Sequence, residues 1–334
     1  MFMYIKISLV LLFFFKSCER SSSSSASNDA IEYDILWESA GGINDRVYCL
    51  LSFGTTLFAG TYYGLHVSTD HGQTWTISKD GLTLTTIRAM VEKDGKIFLG
   101  GGILEGGVAV SRDGGKSWRD AKSGLPNTSV SSLAVSGQRL YAGTFGYGVF
   151  ISEDNGLNWR AANKGLPATI GDVTAIAADG EQVFACINSD TGGVFMTNNN
   201  GSVWFSISRG LPPDHADFTS VVIRDNVILV SADGDSGGVF VTTNYGDSWT
   251  RMNLNDRSVT CLAISGPVII AGGFGGVQAS TDNGATWFTA DNGLYPQGLP
   301  DVNSIIQLPD RIFAGLNFGG VYFLIPPKKM SYLK

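Results

Sequence analysis

STDHGQTW at residues 68–75 returns as SRDGGKSW at 111–118, SEDNGLNW at 152–159, TNNNGSVW at 197–204, TTNYGDSW at 242–249 and STDNGATW at 280–287. The closing tryptophans, Trp75, Trp118, Trp159, Trp204, Trp249 and Trp287, follow one another at 43, 41, 45, 45 and 38 residues, the length of a four-stranded blade. The third residue of each octapeptide (Asp70, Asp113, Asp154, Asn199, Asn244 or Asp282) can bond nearby backbone amides. The glycine two places on can take φ > 0, so the pattern carries the chemistry of a hairpin turn. Each tryptophan then opens the next strand with a large apolar body that needs cover and one ring N–H that needs an acceptor, and reads as core.

Outward from the octapeptides the rest of the unit also recurs. An alternating strand such as 173–177 (A) is followed by a second such as 182–186 (B). A third (C) starts at a glycine pair such as Gly192-Gly193 and runs into the turn, and the tryptophan strand (D) ends near Gly-Leu. The first apolar residues of the A strands fall at Val47, Ile87, Val130, Val173, Phe218, Val259 and Val302, which makes seven units. The seventh has A, B and C from Val302 to Ile325 and no octapeptide after them. The remaining tryptophan, Trp37, lies in an N-terminal strand that leads into the first unit. The expected fold is all-β: a seven-bladed β-propeller of four-stranded antiparallel blades, whose N-terminal strand completes the last blade and leaves no sheet edge open.

Composition agrees. The 334 residues are 43% hydrophobic and 16% charged, and the 43 glycines suit many turns between short strands. A net charge of −7 without a basic run excludes nucleic acid as an expected partner. Cys49, Cys186 and Cys261 sit inside apolar strand patterns and read as buried free thiols; with His66, His71 and His215 they form no zinc-type spacing, so no transition metal and no cofactor is expected.

The apolar run 7–15 behind Lys6 suits the h-region of a signal peptide and is too short to span a bilayer. Cys18 follows it and precedes the tract Ser21–Ser25. Residues 1–17 therefore read as a lipoprotein-type signal peptide, with Cys18 as the lipidated residue and cleavage near Ala26 as the alternative. Residues 18–33 read as a serine-rich linker, 34–326 as the propeller and 327–334 as a tail. The expected location is outside the cytoplasm, as an envelope lipoprotein or a secreted protein, with membrane contact only through the lipid at Cys18.

The octapeptides resemble the bacterial neuraminidase repeat, or Asp box, of sialidases, xyloglucanases, sortilin-type receptors and photosystem II assembly factors, and the resemblance covers nearly all of Trp37 to Ile325. It implies that the boxes lie away from the ligand. A sialidase would add a Phe-Arg-Ile-Pro-like segment, which is absent, and an arginine triad, for which only Arg46, Arg88 and Arg257 lie near the expected axis. Xyloglucanase-like enzymes use two facing propellers with one catalytic Asp from each, and here there is one. The single exported seven-bladed propellers among the assembly factors match in length and act by holding partners.

In propellers, ligands gather on the face made by the D-to-A and B-to-C loops. Here those loops carry Tyr62, Tyr63, Phe145, Tyr147, Phe274 and Phe318, able to line a groove, with Glu105, Asp190, Asp233 and Asp235 as polar contacts; the alternative is that the rings plug the channel or cover neighbouring blades. Asn44-Asp45-Arg46 recurs as Asn255-Asp256-Arg257, and each Asp and Arg either clamps a ligand or fixes its own loop. Asp190, Asp233 and Asp235 lack the spacing of a dedicated calcium loop. The expected function is non-catalytic recognition of a protein or glycan partner; the alternative is a glycoside hydrolase using carboxylates of this face, for which Asp190 and Asp235 are the pair to measure.

Overall fold

The computed structural model describes residues 36–103, 106–212, 217–234, 236–254, 258–294, 298, 300–308 and 311–325. These residues form seven four-stranded antiparallel sheets and no helix. Blade 1 is Val47–Phe53, Thr56–Thr61, Gly64–Ser68 and Thr76–Ser78; blade 4 is Asp172–Asp179, Gln182–Asn188, Gly193–Thr197 and Phe205–Ser206. The A strands of blades 2, 3, 5 and 6 are Ile87–Lys93, Val130–Ser136, Asp217–Arg224 and Val259–Ser265. Blade 7 pairs Val302–Gln307, Ile312–Leu316 and Val321–Ile325 with the N-terminal strand Leu36–Ser39, in the register Trp37 to Leu324. The signal segment, the linker, Cys18 and the tail lie outside the described residues.

Each sheet is covered by a neighbour on both faces, which is why the B strands are buried nearly end to end, as in Leu57-Phe58-Ala59-Gly60-Thr61, while the D strands at the rim are exposed. The apolar clusters lie between blades. One joins Phe98, Val108 and Ala121 of blade 2 to Val130, Leu140 and Trp159 of blade 3, and another closes the ring by joining Ala40, Ile43 and Val321 to Val47 and Leu57. Cys186 and Cys261 are fully or almost fully buried in these clusters and Cys49 packs at their margin; burial pushes all three thiols up to about 12.

The tryptophans do not open the D strands, as the sequence suggests. D begins one residue later, at Thr76, Arg119, Arg160, Phe205, Thr250 and Phe288, because the indole turns away from its own sheet into the preceding blade. There Trp159, Trp204, Trp249 and Trp37 donate their ring N–H to the carbonyls of Ala121, Ala162, Ile207 and Ala290, at 2.6–2.8 Å. Trp118 reaches the Ser78 hydroxyl. Two seams differ: Trp287 bonds the Gly284 carbonyl of its own turn, and the buried Nε1 of Trp75 has no partner.

The box acid closes its turn as expected. Asp113 accepts from the Ser111 and Ser117 hydroxyls and from the amides of Lys116 and Ser117, while Ser111 receives the Gly115 amide. The bonds from the Thr74 side chain and amide, with that from Ser68, hold Asp70 down at about 2. Bonds from Ser117 and Ser111 hold Asp113 well below the usual carboxylate range. For Asp154 and Asp282 burial is the largest influence and pushes upward, but the bonds from Asn158 and Thr286 and their companions outweigh it.

Candidate functional site

In every blade the A strand starts, and the B-to-C turn lies, at the same end of the sheet, and the boxes lie at the other. At the A-strand start one residue bulges out of register with strand B: Tyr48, Arg88, Ser131, Thr174, Thr219, Thr260 and Asn303. A bulge re-aims its side chain, and these seven ring the mouth of the central channel. Five close the ring: Ser131, Thr174, Thr219, Thr260 and Asn303 donate to the carbonyls of Val173, Phe218, Val259, Val302 and Val47, each the first apolar A residue of the following blade.

Tyr48 and Arg88 depart from that pattern. The Arg88 guanidinium carbon lies 4.7 Å from the centre of the Tyr48 ring, and that of Arg46 lies 5.9 Å from the same ring and 5.8 Å from Phe318. Asp45 does not pair with the Arg46 guanidinium: its two oxygens accept the backbone amides of Arg46 and Tyr63, at 2.7 and 2.9 Å, which ties the loop before blade 1 to the turn at Tyr62-Tyr63. These bonds hold Asp45 within the loop, whereas the Arg46 guanidinium lies near Tyr48 and Phe318.

The aromatic residues of the B-to-C turns are exposed. Tyr63 is 77% exposed, Phe318 63%, Phe274 59%, Tyr147 55%, Phe145 44% and Tyr62 37%, so one end of the propeller presents aromatic rings from blades 1, 3, 6 and 7. Tyr62 and Tyr63 meet edge to face at 4.8 Å. Asp233 caps its own turn by accepting the Gly234 amide and stands opposite Asp217 across the sheet. Glu105, Asp235, Asp256 and Arg257 lie outside the described residues, and with Asp235 the pair Asp190 and Asp235.

A groove of about 880 Å³ runs between blades 4 and 5 toward the channel, from Asp190 in the B-to-C turn to Thr174 and Phe218 on the A strands, and Phe145 of blade 3 reaches into it. It gathers the predicted Phe145 and Asp190 with two acids not singled out from the sequence, Asp172 and Asp217. Burial pushes Asp172 above its ordinary range, against the opposing bond from the Gly146 amide. In the groove wall Asn188 Oδ1 and Ser189 Oγ are buried without partners. Among the described residues no group of three His, Cys, Asp or Glu side chains is placed to hold a metal ion. Sequence position alone places Arg88 near the axis, whereas Tyr48 is missed there although it carries a legible signal: the residues after the first apolar A positions of the seven repeats read Tyr, Arg, Ser, Thr, Thr, Thr, Asn, and the two large ones stand out.

Comparison with known proteins supports this architecture. The BNR/Asp-box repeat family matches residues 66–76, the first box. No curated protein matches the sequence. Among solved structures, the GH74 xyloglucanase of Xanthomonas campestris superposes with a TM-score of 0.71 at 15% identity over 90% of this chain. This chain spans 55% of that enzyme's length. YCF48 bound to a D1 peptide superposes with a TM-score of 0.66 at 16% identity, covering 93% of this chain and all of that one. YCF48 from Cyanidioschyzon merolae gives 0.66 at 15% identity over 87% of this chain and 99% of its own. The chain is thus a seven-bladed β-propeller with Asp-box repeats, and identities this low speak to the fold alone.

Proposed function

We propose that the chain is an exported binding module that holds a protein or glycan partner on the face formed by its D-to-A and B-to-C loops, tethered through Cys18 or secreted after its signal peptide is removed. The observation that carries this reading is the set of six exposed aromatic rings at one end of the propeller, on turns fixed by the frame beneath. Flat apolar rings beside groove carboxylates suit sugar faces and peptide side chains equally. Similar propellers include one bound to a peptide and a GH74 xyloglucanase, which supports a partner of either class.

The test is binding of the purified protein to a glycan array and a peptide array, repeated with the double variant Tyr63→Ala, Phe318→Ala. Binding that this variant lowers, with no product formed, supports the reading; a ligand held equally well by the variant argues against this face. A second reading, glycoside hydrolysis, rests on Asp172, lifted by burial beside Asp190 and Asp217 in one groove. Product release from a bound glycan that Asp172→Asn abolishes would establish it in place of the first.

A further inference from the structure

The seven bulge positions at the channel mouth are equivalent in backbone, so what their side chains do is comparable blade by blade. Five are uncharged and donate to a neighbour's carbonyl. Blades 1 and 2 instead place a phenol and a guanidinium there, and a second guanidinium, Arg46, joins them from the preceding loop. Among the described residues neither Arg46 nor Arg88 has a carboxylate within ion-pair distance, whereas Lys93, Lys122, Arg139, Arg160 and Arg224 each have one. Arg88 also holds its Nε buried without a partner. Both guanidiniums lie against the same Tyr48 ring and the walls of the half-buried mouth screen them poorly, so an anion at this mouth is attracted by both. Each guanidinium offers the paired N–H fork that fits a carboxylate.

On the opposite side of the same mouth the sign reverses. Thr174 occupies in blade 4 the position that Arg88 occupies in blade 2, and it lines the groove that carries Asp172, Asp190 and Asp217. Among the described residues the face is therefore polarised: over blades 1 and 2 the two guanidiniums outnumber the single carboxylate of Asp45, whereas between blades 4 and 5 three carboxylates gather. An acidic polysaccharide, with one sign of charge along its length, meets repulsion over half of that face and from a protein of net charge −7. A peptide carrying both signs meets none.

We propose that Arg46 and Arg88, stacked about Tyr48, form an anion subsite that takes an Asp or Glu side chain of a mixed-charge peptide, whose Lys or Arg lies toward the Asp172, Asp190 and Asp217 groove. This rests on the loop face being the binding face, and it adds the class of partner and its polarity.

The experiment uses 15-residue peptides on one uncharged sequence bearing Glu and Lys, Glu alone, Lys alone or neither, with oligogalacturonate as the acidic glycan. Affinities are read by calorimetry on wild type, Arg46→Gln, Arg88→Thr and Asp190→Asn. Arg88→Thr installs the residue that blades 4, 5 and 6 carry at this position, so it gains a bond to the Val130 carbonyl and keeps the fold; Arg46→Gln gives an independent reading if it does not. The expected result is tightest binding of the Glu-and-Lys peptide, a loss of about tenfold with either arginine variant for Glu-bearing peptides only, and a loss with Asp190→Asn for Lys-bearing peptides only. The proposal is overturned if the preference for Glu survives both arginine variants, if charge makes no difference, or if oligogalacturonate binds better than any peptide. Binding of the uncharged peptide that is indifferent to both arginines but lost in Tyr63→Ala, Phe318→Ala would overturn the anion subsite and leave the loop-face reading standing.

Discussion

Gly114 and Gly115 are adjacent, both in the left-handed region at φ +74 and +87, yet they should answer alanine differently. A Cβ on Gly114 meets nothing within 4 Å, whereas one on Gly115 would lie 2.4 Å from Cε1 and 3.0 Å from Cζ of Phe58, in the B strand of blade 1. Gly114→Ala therefore costs only the left-handed conformation, about 1–2 kcal/mol. Gly115→Ala adds a forced shift of a fully buried phenylalanine, about 1–3 kcal/mol more, for a total of about 2–5 kcal/mol. The repeats support the division. The other boxes place His71, Asn155, Asn200, Tyr245 and Asn283 at the first position, at φ +56 to +61, and glycine at the second without exception. Urea unfolding followed by tryptophan fluorescence reads the comparison, with midpoints compared at matched slopes. Equal losses for the two variants would refute the claim that the box glycine is a seat for the preceding blade, and would reduce it to a turn residue.

The tryptophan bonds between blades give a second contrast. Trp204→Phe strands the buried Ala162 carbonyl and should cost about 1–3 kcal/mol, while Trp75→Phe removes a ring nitrogen that already lacks a partner and should be close to neutral in the same urea assay. Acid should weaken the box turns in a defined window. The folded pKa of Asp70 lies below its unfolded value, so its contribution is present above about pH 4 and is lost as the pH falls toward 2. Asp113, Asp154 and Asp282 act in the same direction, Asn199 and Asn244 do not titrate, and Asp113→Asn should make the acid transition seen by near-UV circular dichroism less steep. Cys49, Cys186 and Cys261, pushed up to about 12 by burial, should resist a thiol reagent at pH 8 in the native protein and react once urea exposes them, as read by peptide mass spectrometry.

The sequence by itself determined the number of blades, the strand order within each and the closure by Trp37. These follow from periodic signals that each repeat states locally: a turn acid, a left-handed glycine, a tryptophan and an apolar A strand whose observed starts agree with the expected ones to within a residue. It also determined which loops share a face, because strand alternation in a four-stranded blade leaves no choice. What the tertiary structure decided is which side chains meet. Asp45 and Arg46 are neighbours in sequence, but one carboxylate turns to the amide of Tyr63 and the guanidinium turns to Tyr48 and Phe318. Asp172, Asp190 and Asp217 come from a strand start, a turn and the next blade, and only the packing of blade 4 on blade 5 puts them in one groove. A repeat fixes the frame through contacts a few residues long, whereas a site on a ring is assembled from residues whole blades apart, and their distances exist only once the ring has closed.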